Sequence, residues 1–104
     1  MLKINFEFRK GIFFIRLIGN LNNNNYKEKE NIIKKLIKYN QFKYVVINTN
    51  YLETVDLVGI NCLLEVFDIT KMNKCNLIIC DKNNIFKRLL HNSIPIIKDE
   101  IEVL

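Results

Sequence analysis

Residues 44–67 read YVVINTNYLETVDLVGINCLLEVF. The run opens on an apolar strand, Tyr44-Val45-Val46-Ile47, crosses a polar stretch from Asn48 to Thr54, and reaches Asp56 ahead of a second apolar pattern. Ile60, Leu63, Leu64 and Phe67 recur at i, i+3, i+4 and i+7, one face of an α-helix. Asp56 is the N-cap expected of that helix, which spans about Leu57 to Lys71. A strand, a polar loop and a helix start in this order place a loop and a helix N-terminus at one edge of a sheet. Small α/β domains carry their binding sites there.

Upstream, Ile4 to Phe8 alternates with Asn5 and Glu7, and Ile12 to Ile18 is almost wholly apolar; Lys10-Gly11 joins them as a hairpin turn. Gly19-Asn20-Leu21 and the run Asn22-Asn23-Asn24-Asn25 read as a loop before a helix over Tyr26–Tyr39. Asn25 and Glu28 have the spacing of a capping box. Downstream, Asn76–Cys80 reads as a strand parallel to the central one through a right-handed crossover. Asp81–Asn84 is a turn, with Asn83 or Asn84 capping a third helix over Ile85–His91. Ile96-Ile97 forms a last short strand, and residues 98–104 continue it or make one helical turn. The parts assemble into a single α/β domain over residues 1–104, with a mixed four- or five-stranded sheet, a parallel core and about three helices.

The 104 residues, 49% hydrophobic and 26% charged, have the composition of a folded domain with one core. No apolar run approaches the roughly 20 residues that span a bilayer, and the start of the chain lacks a signal-peptide core. A cytoplasmic protein with no membrane contact is the expectation. The net charge of +5 is spread along the chain. Only Lys34, Lys35 and Lys38 cluster, opposite Ile33, Leu36 and Ile37, and no aromatic platform interleaves with them, so they read as a solvated face and not a nucleic-acid footprint. Cys62, Cys75 and Cys80 lack metal-ligand spacing, and His91 is the one histidine, so no metal site is expected and the cysteines read as reduced thiols. No nucleophile stands near a base, and three glycines form no phosphate loop. Neither a catalytic constellation nor a cofactor is expected.

The order of elements and residues resembles the STAS domain, the module shared by sulfate transporters and bacterial anti-sigma factor antagonists. Gly19-Asn20-Leu21-Asn22 stands where that family has Gly-x-Leu-Asp. Val46-Ile47-Asn48, followed eight residues later by Asp56, is similar to its strand and Asp-Ser-Ser-Gly signature, with Asp56 and Gly59 at the signature's ends. Cys80 through Leu90 is similar to its last strand, turn and helix. Leu57 and Val58 replace the two serines, and the resemblance puts Val58 where the antagonists are phosphorylated. A hydroxyl there would sit near unpaired helix amides that steady a phosphate; valine has no oxygen to modify.

The resemblance implies a non-enzymatic interaction module that binds an anti-sigma factor or a switch protein kinase through residues 48–64. Partner contacts are expected from Asn22, Asn48, Thr54, Asp56, Leu57, Val58, Gly59 and Asn61. Thr54, four residues before Val58, is the hydroxyl able to take over as phosphoacceptor, with Thr49 behind it. Glu65 and Asp68 continue the polar side of the second helix, and His91 complements a helix end. Two alternatives stand beside this reading: a STAS scaffold subunit of a homo-oligomer or larger signalling assembly, and a nucleotide- or anion-binding module.

Overall fold

The alternation near the N-terminus becomes a hairpin of β1 (Leu2–Arg9) and β2 (Ile12–Leu21), closed at Arg9–Ile12. Its turn residues both lie at positive φ, Lys10 at 54° and Gly11 at 80°, the backbone hand that matches strand twist in a two-residue loop. The computed structural model describes residues 1–89 and 94–104. After the hairpin come α1 (Tyr26–Tyr39), β3 (Tyr44–Val55), α2 (Leu57–Met72), β4 (Asn76–Cys80), β5 (Ile96–Ile97) and a 3-10 turn over Glu100–Val103. The five strands lie in the order β1-β2-β3-β4-β5, antiparallel only between β1 and β2.

Alternation across β2, β3 and β4 sorts the core into two layers. Phe13, Ile15, Leu17, Val45, Ile47, Leu77 and Ile79 face the helices and meet Ile33 and Ile37 of α1 and Leu63, Val66 and Phe67 of α2. Phe14, Val46 and Cys80 point to the opposite face, where Ile97 and Val103 cover them. The three cysteines are free and buried.

Five expectations are corrected. The polar stretch Asn48–Thr54 is not a loop, because β3 continues to Val55. β2 also runs on, taking in Gly19-Asn20-Leu21, and its backbone supplies partners for the longer β3. The register slips between Arg16 and Ile18 and again between Gly19 and Asn20, each time with an extra residue in β3. The capping box at α1 does not form. Asn25 makes no side-chain cap, because its Oδ1 accepts from the Asn22 amide (3.0 Å) and its Nδ2 donates to the Asn20 carbonyl (2.8 Å).

The third helix is also absent over residues 85–89, which form a turn. Buried Asp81 takes the amides of both Ile85 (2.9 Å) and Phe86 (2.8 Å), which anchors the Phe86 ring in the core and replaces helical bonds. Neither Asn83 nor Asn84 caps it, and Leu90 and His91 lie outside the described residues, so α1 and α2 are the α-helices described. Lastly, Lys34 is half-buried, off the solvated face that Lys35 and Lys38 keep. It turns toward α2 and pairs with Glu30 and, at 3.4 Å, with Glu65.

Candidate functional site

The end of β3 and the start of α2 form a tip braced by the asparagine loop. Asp56 is its keystone. Its Oδ1 accepts from the Gly59 amide (2.8 Å), capping α2 as the sequence implied, while its Oδ2 accepts from the Asn23 amide (3.1 Å). The Asp56 amide donates to the Leu21 carbonyl (3.2 Å), so the helix start and the end of β2 are tied at several points. Asn22 shapes the same loop: its Oδ1 accepts from the Asn24 amide (2.9 Å) and its carbonyl from Tyr26 (3.1 Å). Thr54 Oγ1 donates to Asn20 Oδ1 at 2.5 Å.

Gly59 is a packing residue. A Cβ there would stand 2.7 Å from the Leu21 carbonyl oxygen and 2.9 Å from side-chain carbons of Leu21 and Val55. Pressed against β2 in this way, the first turn of α2 presents its other side outward. Leu57 is 71% exposed and Val58 37% exposed, two apolar side chains on a polar, hydrogen-bonded mount. No side-chain oxygen occupies either position.

From Val58 a groove of about 280 Å³ runs between α1 and α2, lined by Tyr26, Lys27, Glu30, Asn61 and Cys62 among others. Burial raises the Glu30 carboxyl, but hydrogen bonds from Lys34 and Cys62 outweigh it and hold the group below its ordinary range. Burial, then the hydrogen bond to Glu30, pushes the Cys62 thiol up to about 12, so it stays protonated and is no nucleophile. Among the described residues no three His, Cys, Asp or Glu side chains gather as a metal site. No helix among them is long and apolar enough to cross a membrane, which says nothing of strands.

The structure thus gathers Asn22, Thr54, Asp56, Leu57, Val58 and Asn61 at one end of the sheet, with Gly59 buried beneath them. It does not bring Asn48 there. Asn48 is 2% exposed on the helix-free face, where its Nδ2 donates to Glu100 (2.6 Å) and its Oδ1 accepts from the Asn50 amide (2.9 Å). Thr49 is equally inaccessible, donating to the Cys80 carbonyl (2.8 Å). Glu100 also takes Arg16, at 2.7 Å and 2.8 Å. That pairing holds the Glu100 carboxyl below its usual range against the opposing effect of burial. Sequence reasoning missed both Glu100 and the groove. The Glu30/Lys34 spacing of i, i+4 was a signal for the groove, whereas nothing local links Arg16 to Glu100.

The STAS domain family model matches residues 3–95. No curated protein matches the sequence. Among solved structures the fold is similar to the anti-sigma factor antagonist SpoIIAA in its unphosphorylated form, with a TM-score of 0.76 at 14% identity, covering 99% of this chain and 93% of that one. An anti-sigma factor antagonist from Mycobacterium paratuberculosis gives 0.77 at 14% identity, covering 98% and 90%. The Bacillus cell fate determinant SpoIIAA in its phosphorylated form gives 0.72 at 15% identity, covering 99% and 96%. At such identities the likeness is one of fold.

Proposed function

The chain belongs to the STAS domain family, and we propose that it serves there as an anti-sigma-factor-antagonist-like interaction module in the cytoplasm, not as an enzyme. Its partner is an anti-sigma factor or a switch protein kinase, bound through the Leu57–Val58 tip and the adjoining groove. The exposure of these two apolar side chains on a rigid mount carries the reading, because an apolar patch framed by polar groups is what a protein partner covers. Three solved structures of this fold named as antagonists or as SpoIIAA support it. Asp56 and Asn22 act by holding the tip, Gly59 by letting α2 sit close to β2, and Asn61 by lining the groove. An anion-binding role is disfavoured, since the Asp56 carboxylate already occupies the helix start and would repel the ligand.

Val58 stands at the position that carries the phosphoacceptor in antagonists, so binding does not respond to phosphorylation there. Thr54 is the threonine left on this surface, and a phosphate on it would break its bond to Asn20. Titrating the protein with an anti-sigma factor or switch kinase from the same cell, in wild-type and Val58→Asp forms, tests the proposal. Binding lost in the variant with its circular dichroism unchanged is the expected result. Equal affinity of the two forms would remove the tip from the interface. Incubation with that kinase and ATP, followed by peptide mapping, is expected to yield no phosphate on residues 54–64. Phosphate on Thr54 would restore a switch.

A further inference from the structure

We infer that β1 is a self-association edge, which pairs antiparallel with β1 of a second copy about a two-fold axis at Asn5 and joins the two sheets. β1 is the outer strand on one side, and all of Leu2–Arg9 pairs with β2 without a bulge. Its free side is therefore a straight row of backbone groups. The opposite edge is only Ile96–Ile97, too short to template a partner. Because Arg9–Ile12 closes a two-residue turn, the odd-numbered residues of β1 exchange bonds with β2. The bond from the Asn20 amide to the Met1 carbonyl (3.1 Å) belongs to that set. The N–H and C=O groups of Leu2, Ile4, Phe6 and Phe8 then point outward, with no partner among the described residues.

Side chains select the occupant and its register. With Asn5 opposite Asn5, each Ile4 falls opposite a Phe6 and each Leu2 opposite a Phe8 on the helix-side face, so every outward backbone group finds a partner. On the other face each Lys3 falls opposite Glu7 of the second copy, twice by symmetry. Centring the pair on Phe6 instead sets Lys3 against Arg9, and centring it on Ile4 leaves Lys3 opposite Asn5, so charge complementarity picks one register. In the favoured register Arg9 stands opposite Met1, and that end pair adds nothing. The aromatic row is already in place. Phe6 stacks on Phe13 at 5.8 Å, Phe13 on Phe42 at 4.1 Å, and Phe8, 63% exposed, leans on Phe42 at 6.2 Å. β2 separates β1 from β3, which carries the tip, so this edge stands independently of how the tip is read.

Sedimentation velocity from low micromolar to millimolar protein tests the edge. A concentration-dependent dimer is expected, and Lys3→Glu should weaken it about tenfold, since both cross-strand pairs become like-charged. Glu7→Lys alone should weaken it similarly. An equimolar mixture of the two variants should recover association, because in the mixed dimer both cross-strand pairs again join a carboxylate to an ammonium group. Glu7→Lys also removes a bond to Arg16 (2.7 Å). Should it misfold, Ile4→Pro serves instead: it deletes an outward amide that the monomer does not use, and it should abolish the dimer with the circular dichroism retained. A monomer at every concentration would overturn the inference. So would a dimer indifferent to both Lys3→Glu and Ile4→Pro, or a charge-swapped mixture that stays apart.

Discussion

Gly59→Ala puts one methyl group where the tip is tightest. The new carbon would lie 2.7 Å from the Leu21 carbonyl oxygen and 2.9 Å from carbons of Leu21 and Val55. The oxygen is main-chain, it already accepts from the Asp56 amide at 3.2 Å, and so it is not free to swing aside. Overpacking of this kind costs about 1–3 kcal/mol. A clash at 2.7 Å with a main-chain oxygen that cannot yield takes the upper part of that range, about 2–3 kcal/mol. Replacing a helical glycine with alanine returns about 1 kcal/mol, leaving a net loss of about 1–2 kcal/mol. For a domain of this size that corresponds to a fall in Tm of roughly 5–10 °C. Differential scanning calorimetry of the two proteins at pH 7 measures it, and urea titration with an unchanged slope confirms that one native state is being weakened. A variant as stable as the parent, or more so, would mean that α2 does not press against the end of β2, and the account of how the tip is mounted would fail.

The remaining predictions concern the cap, the acid limb and the thiols. Asp56→Ala removes the acceptor for both the Gly59 and Asn23 amides and should cost about 1–2 kcal/mol by urea denaturation; no loss would deny Asp56 its bracing role. The Glu30 and Glu100 carboxyls titrate below the ordinary 4.5 in the folded protein, so the stability they contribute is complete above the unfolded value and lost as pH falls through the folded ones. Stability should therefore drop on acidification below about pH 5, and Glu100→Gln should flatten that drop; an equally steep limb in the variant would exclude Glu100 as a source. Burial pushes the Cys62 and Cys80 thiols up to about 12 and raises Cys75, so a thiol reagent at pH 8 should modify all three only as fast as the protein unfolds. An immediate burst in native protein would show an open path to one of them.

Much of the fold was legible because periodicity and local caps carry it. The helix over Tyr26–Tyr39, the strand Asn76–Cys80 and the Asp56 cap each rest on residues within a few positions of one another, and each appears with the expected bounds or bond. The misreadings share another physics. Asn48–Thr54 looks like a loop to propensity alone, and it becomes strand because β2 offers backbone partners alongside it. Asn25 has the sequence of a cap, but its side chain is claimed by Asn20 and Asn22. Ile85–Leu89 has helical spacing, but the carboxylate of Asp81 satisfies the amides that a helix start would have left open.

The order of strands and helices, the parallel core and the apolar residues at the start of α2 were written in the sequence, since short-range hydrogen bonding and burial decide them. The destination of each polar side chain was not. Whether Asn48 reached the surface or Glu100, whether Arg16 met water or Glu100, and which backbone edge stayed unpaired all depended on groups brought together from distant parts of the chain. Such pairings form where the packed sheet excludes water, and no local window of sequence contains both partners.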